Sequence, residues 1–319
     1  MHKDISVIIP AYNAEEDLKE CLASLKKQTI KPKEIIVVDD GSTDSTAKVA
    51  EEMGAIVVKN DRNVGRGQAR INGVRKASGT VYAFTDADCI VPEKWLENAI
   101  DEMEKFNVEA VSGYYCGAKR DDFLSRLQYA DCSYRQKDIP KEVNTISSCN
   151  FVVTKEAYEA GGGFQPVLNE DMELGYWISK KYKIHWLHNN GVVHNFRNSL
   201  WKYLKQQEFF ARQVMNSYLK FPEIFFSQSN YQKRSIIWEL ISILLLIVSV
   251  PLIFLSDYGV FLFIFAILCS IFLKTDILRF FKEKGFSTKE IYVSYFILLM
   301  RDCAWIIGLF NGVIYTILS

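Results

Sequence analysis

Two aspartates one residue apart, Asp86 and Asp88, close the apolar run Val81 to Phe84 in TVYAFTDADCIVPEKW, residues 80–95. In extended backbone, residues i and i+2 point to one side, so the two carboxylates can converge. Held together they repel, and a cation between them relieves the repulsion. Hard oxygen ligands suit Mg2+ or Mn2+, ions commonly shared with phosphate oxygens, so this spacing asks for a nucleoside diphosphate. Asp is also common in turns, and a DxD alone carries little weight. Other candidates stand beside it. Asp39-Asp40-Gly41 reads as a turn, or as a carboxylate free to accept from a nucleobase on which Tyr12 stacks. Arg66, between Gly65 and Gly67, reads as a helix-surface cation or as a partner for phosphate or base. Glu170-Asp171 reads as the acidic first turn of a helix, favoured by the helix dipole, or as a general base.

The elements that must position these residues follow from periodicity. ISVIIP, EIIVVDD, AIVVK and VYAFTD are apolar runs of strand length, the pattern of strands covered on both faces. Helical patterns lie between them. NAEEDLKECLASLKK places Leu18, Leu22 and Leu25 on one face, and Asn13 with Glu16 fits a capping box. GSTDSTAKVAEEMG reads as a helix closed by Gly54. Strand and helix alternate, so an α/β fold with a mostly parallel sheet and right-handed crossovers is expected. Ligands bind such sheets beyond the carboxyl ends of the strands. Pro10, Tyr12 and Asn13, then Asp39 and Asp40, then Asp86 and Asp88 should gather on one edge. No GxGxxG follows the first strand, which argues against a dinucleotide site.

The chain has 319 residues with 38 basic and 38 acidic side chains, so its charge gives no bulk attraction to nucleic acid. Seven cysteines show no CxxC pair or ligand spacing and read as reduced thiols. MHKDISVIIP is not a signal peptide by pattern, because its apolar run is strand-length. Beyond Arg234 charge nearly vanishes. Three membrane spans are expected, at about 236–255, 258–273 and 291–318, with Glu239 inside the first and Arg301-Asp302 inside the last. Intramembrane charge calls for partners, and adjacent residues on a helix do not face each other; Glu239 or a lipid phosphate is expected to meet Arg301. YQKRS before the first span and the basic 274–290 connector predict a cytoplasmic N-terminal domain and an outside C-terminus. SLWKYLKQQEFFARQ, residues 199–213, alternates apolar and basic residues as an interfacial amphipathic helix does.

VIIPAYNAEEDL, IIVVDDGSTDST, NVGRGQARINGV, FTDADC, GGGF and NEDMELGYWI resemble, in order and spacing, the motifs of family 2 glycosyltransferases with the GT-A fold, over roughly residues 4–215. With apolar helices at the C-terminus, the chain also looks like a small cellulose-synthase-like enzyme. The resemblance implies a GT-A catalytic domain at 1–198, an interfacial helical segment at 199–235 and a transmembrane region at 236–319. It implies that Asp40 holds the nucleobase with Pro10 and Tyr12 lining the pocket, and that Arg66 supports the nucleotide. Asp86 and Asp88 would be the DxD metal ligands, Asp86 also touching the nucleotide sugar, and Asp171 with Glu170 the catalytic base pair. His194 would contact metal or diphosphate, because its neighbours return to the active edge in this family; His185 and His188 receive no role. The family's QxxRW motif is off in spacing and lacks its tryptophan here, which leaves Arg212 as the residue that could reach the diphosphate. That departure and the few spans argue against a polymer channel. The expectation is a Mn2+- or Mg2+-dependent, inverting transfer of one hexose, mannose favoured, from GDP-mannose or a UDP-sugar to a polyprenyl-linked acceptor at the cytoplasmic membrane face. A polyprenyl-phosphate glycosyl synthase and a non-catalytic nucleotide-binding scaffold are the alternatives.

Overall fold

The β-branched runs of the N-terminal part become neighbouring strands, because each is apolar on both faces and is covered only inside a sheet. The computed structural model describes residues 4–166, 169–223 and 235–318. They form two compact units, the first of residues 4–120 and 138–196, the second of 121–137, 197–223 and 235–318.

In the first unit, β1 (Ile5–Ala11), α1 (Glu15–Lys26), β2 (Glu34–Asp39), α2 (Thr46–Glu52), β3 (Ile56–Lys59), α3 (Arg66–Lys76) and β4 (Val81–Thr85) alternate as expected. Then come β5 (Cys89–Ile90), α4 (Trp95–Phe106) and β6 (Ala110–Ala118). After a segment of the second unit follow β7 (Glu142–Val143), β8 (Asn150–Thr154), α6 (Lys155–Ala160), α7 (Glu170–Ser179) and β9 (Ile184–His194). The sheet runs β3-β2-β1-β4-β8-β6-β9-β5, with β7 on β9. Its β3-β2-β1-β4 half is parallel throughout, whereas β8 enters antiparallel between β4 and β6. Odd positions of β1, Ile5, Val7 and Ile9, pack with Leu18, Leu22, Leu25, Trp95 and Ile100 in one core. On the opposite face α3 lies so close that a Cβ at Gly73 would sit 2.5 Å from Ile8 Cγ2.

One local expectation fails. Asn13 does not cap α1: it sits at φ 48° and turns across to the β2 loop, its Oδ1 accepting from Thr43 N–H at 2.8 Å. The helix starts at Glu15 with no side-chain cap, and its first-turn acids Glu15, Glu16 and Asp17 complement the dipole instead.

The second unit is helical. It holds the helix Phe123–Gln136 (α5 in chain order), α8 (Leu200–Lys220), α9 (Ser235–Leu252), α10 (Asp257–Glu283) and α11 (Thr288–Leu318). Asp122 caps α5 by accepting from Ser125 N–H at 3.0 Å. Among the described residues, two helices, α10 and α11, are long and apolar enough to cross a membrane. The first apolar segment forms α9, described over 18 residues. The stretch from Lys274, expected to be a connector, continues α10 to Glu283. Its charges read as loop in the sequence, but Lys274 is fully buried. Helix α8 is amphipathic, with Tyr203, Ala211 and Val214 buried and Trp201, Lys202 and Lys205 exposed.

Helices α8 and α11 meet at two glycines one turn apart, where a Cβ on Gly308 would lie 2.1 Å from Glu208 O and one on Gly312 2.7 Å from Met215 Cβ. Polar pairs flank the contact: Trp305 Nε1–H donates to Gln207 Oε1 at 3.0 Å, and Asn311 Nδ2–H to Glu208 Oε1 at 2.9 Å. Arg301 finds its partners inside the unit. It donates to Asp131 at 2.8 Å and to Glu239 at 3.0 Å, so the expected Glu239 pairing is present. It also reaches its neighbour Asp302 at 2.7 Å, against the rule for adjacent helical residues, because the long guanidinium side chain folds back. Lys274 bridges Glu239 and Asp302, and Arg135 binds Asp131 at 3.1 Å.

Candidate active site

The carboxyl ends of β1, β2 and β4 share one edge of the first unit, and the acids cluster there. Beyond Thr85 the chain does not stay extended. It turns, with Cys89 N–H donating to Asp86 O at 3.1 Å, and Cys89 then pairs with His194 across the antiparallel β5–β9 ladder. A turn, and not strand alternation, therefore sets the directions of Asp86 and Asp88. Asp86 Oδ1 accepts from Arg70 NH2 at 2.6 Å, while Asp88 Oδ2 lies 3.4 Å from His194 Nε2. Ligand atoms of Asp88, Cys89 and His194 fall within 4.8 Å of one another. The Cys89 thiol is fully buried, and hydrogen bonding with Cys149 together with burial holds its pKa well above the ordinary thiol value. A thiol suits softer ions than Mn2+ or Mg2+, which leaves the Asp88 carboxylate and the His194 imidazole as the better donors for such an ion. The His194 ring is steadied by Tyr115 at 4.9 Å and Phe196 at 4.6 Å, and its Nδ1 has no hydrogen-bond partner among the described residues.

Arg70 was not singled out by the sequence, yet it organises this edge. It is 1% exposed, lies one turn beyond Arg66 on α3, and joins Asp86 to Glu170. Glu170 Oε1 accepts from Arg70 NH1 at 2.9 Å and from Arg66 Nε at 2.6 Å. Burial works against the charge of Arg70, but Asp86, Asp171 and Glu170 outweigh it and its pKa rises further. Burial and the neighbouring Asp171 raise the Glu170 pKa, opposed by the two arginines. Phe164, after the glycines of GGGF, lies under the Arg70 guanidinium at 5.5 Å. Of the adjacent acids, Glu170 is thus engaged as a buried ion-pair partner. Asp171 is held differently: its Oδ2 accepts from Ser148 Oγ–H at 2.9 Å and Ser148 N–H at 3.3 Å, while its Oδ1 has no partner among the described residues. Ser148 carried no sequence signal. Arg70 did, since RGQAR places two arginines on one helical face.

Both oxygens of Asp40 are engaged, Oδ1 by Asn60 Nδ2–H at 2.8 Å and Val64 N–H at 3.0 Å, Oδ2 by Gly65 N–H at 2.9 Å. These contacts hold the 60–65 loop that delivers Arg66. Pro10 is half-buried in β1 beside Val38, and Tyr12 is 49% exposed just past the strand end. Arg212 belongs to the second unit, where its guanidinium lies over Phe209 at 5.1 Å. His185 and His188 bind Glu102 at 2.7 Å and Ile139 O at 2.9 Å, roles that are structural.

The family model described as "Glycosyl transferase family 2" matches residues 6–162. Glycosyltransferase AglE of Haloferax volcanii is 33% identical over 156 residues, 44% of this chain and 51% of that protein. Glycosyltransferase GlyA of Streptococcus pneumoniae is 30% identical over 137 residues, 42% of this chain and 20% of that protein. The chain therefore spans about half the length of these relatives or less. In fold, it is similar to mannosyltransferase PcManGT from Pyrobaculum calidifontis, solved in complex with GDP-Man and Mn2+, with a TM-score of 0.63 at 18% identity over 98% of this chain and 87% of that one. The motif order, the sheet with its acidic carboxyl edge and these likenesses together place the chain in glycosyltransferase family 2, with a GT-A fold.

Proposed function

We propose that the chain transfers a single hexose, mannose favoured, with inversion from a nucleoside-diphosphate sugar to a hydroxyl of a polyprenyl-linked saccharide at the cytoplasmic membrane face. The observation that carries this reading is Asp171: one oxygen is fixed by Ser148 and the other accepts from nothing, as a base awaiting a proton requires. The acceptor oxygen forms the new bond to the anomeric carbon as the bond from that carbon to the diphosphate breaks. The acceptor's proton passes to Asp171, and the nucleoside diphosphate leaves. Asp88 and His194 would hold a divalent ion, which neutralises charge on the departing diphosphate. A mixed oxygen and nitrogen donor pair favours Mn2+ over Mg2+. Arg66, side chain 43% exposed, is the cation on this edge open to a phosphate. Pro10 and Tyr12 line the base pocket, and Asp40 shapes it through the 60–65 loop. The apolar α10 and α11 support a membrane location, and with it a lipid-tailed acceptor.

The test is nucleoside diphosphate release from GDP-mannose or UDP-glucose by the purified chain in detergent with Mn2+. Release should vanish with chelator and in Asp88→Ala. Asp171→Asn should lose at least about a hundredfold in turnover, the scale of general-base catalysis. A chain that binds both nucleotides and releases neither product is the scaffold. Asp171→Asn that still transfers to a polyprenyl phosphate identifies the synthase.

A further inference from the structure

Ser148 stands two residues before β8, on a segment remote in sequence from α7, yet it spends both of its donors on a single oxygen of Asp171. A carboxylate swings about its terminal torsion, a broad two-fold one, and would present its two oxygens interchangeably unless one is pinned. Here one is pinned. Ser148 is 4% exposed, so its hydroxyl has no bulk water to exchange with. Ser147 N–H donates to Ser112 Oγ at 2.9 Å, which ties the same segment to β6. Close backbone contact fixes α7 against the preceding stretch, where a Cβ on Gly175 would lie 2.8 Å from Thr145 Cα. The charged groups that face Asp171 from its surroundings, Arg66, Arg70 and Glu170, are engaged with one another, and no hydrogen bond from them to its Oδ1 is present.

We infer that Ser148 is a positioning residue for Asp171, locking Oδ2 so that Oδ1 alone receives the proton of the attacking hydroxyl. This rests on the glycosyl-transfer reading above. Misplacement of a reacting group by a fraction of an ångström lowers turnover by about tenfold to a hundredfold while leaving binding of the other substrate alone.

The experiment uses the full chain in detergent with Mn2+, GDP-mannose and UDP-glucose as donors, and nucleoside diphosphate release as the readout. GDP and UDP affinity by calorimetry reports an intact nucleotide site. Ser148→Ala should lower kcat at least about tenfold at unchanged nucleotide affinity, and Ser148→Thr, which keeps both donors, should recover most of it. On an Asp171→Asn background Ser148→Ala should cause no further loss, because its whole effect runs through that carboxylate. Wild-type turnover in Ser148→Ala with a dead Asp171→Asn overturns the role of Ser148 alone. So does a further loss in the double variant, or a parallel loss of nucleotide affinity, either of which marks a structural part. Full turnover in Asp171→Asn overturns the base reading and this inference with it.

Discussion

Arg70 serves two carboxylates from a position closed to water, and the edge depends on it. Replacing it with methionine leaves Asp86 without its partner and Glu170 with Arg66 alone. Asp86 is 31% exposed and Glu170 keeps one cation, so the loss should be about 1–3 kcal/mol, a fall of several degrees in the thermal midpoint. Arg70→Lys should not rescue it, since one ammonium lacks the fork that spans both acids. The measurement is thermal unfolding of the variants beside wild type; an unchanged midpoint for Arg70→Met removes Arg70 from the centre of the site. At this scale Asp86 and Asp88 were legible in the sequence, because two like charges closing an apolar strand need a reason, whereas Asp171 stood out only through the family resemblance. Arg70, although RGQAR sets it one turn beyond Arg66, was passed over because an arginine inside a helix reads as solvated. Ser148 gave no clue, because a serine is ordinary anywhere in a loop.

Strands were legible wherever both faces are covered, as in β1, β2 and β4, because Val and Ile runs leave no alternative of that length. The antiparallel entry of β8 was not, since its NFVVT looks like any other buried strand and pairing partners are set by tertiary contacts. Helix α10 was cut short for a related reason. Lys274, Asp276 and Arg279 look like a loop until Lys274 is seen to point inward. The α8–α11 contact gives a prediction proper to elements. Gly308→Val puts a side chain where Glu208 O already lies 2.1 Å from an added Cβ, so the helices must part. Overpacking of this kind costs about 1–3 kcal/mol. It should lower the thermal midpoint of the detergent-solubilised chain, and a variant as stable as wild type contradicts the packing.

For the molecule as a whole, the second unit balances three cations, Arg135, Lys274 and Arg301, against three carboxylates, Asp131, Glu239 and Asp302. Five of these side chains are at most 11% exposed, so the set is stable only as a set. Arg301→Ala should cost about 3–5 kcal/mol, read as lost thermal stability. Adding Asp302→Ala should return part of it, because the two act through each other. Additive losses would mean the charges work independently. Chain order matters for the first unit as well. His194 joins Asp88 only after more than a hundred intervening residues have been made and β9 has docked on β5. During synthesis, then, Asp88 is made long before its imidazole neighbour and waits for the last strand of the first unit. On the glycosyl-transfer reading proposed above, the emerging polypeptide lacks its metal-holding pair until that strand locks home.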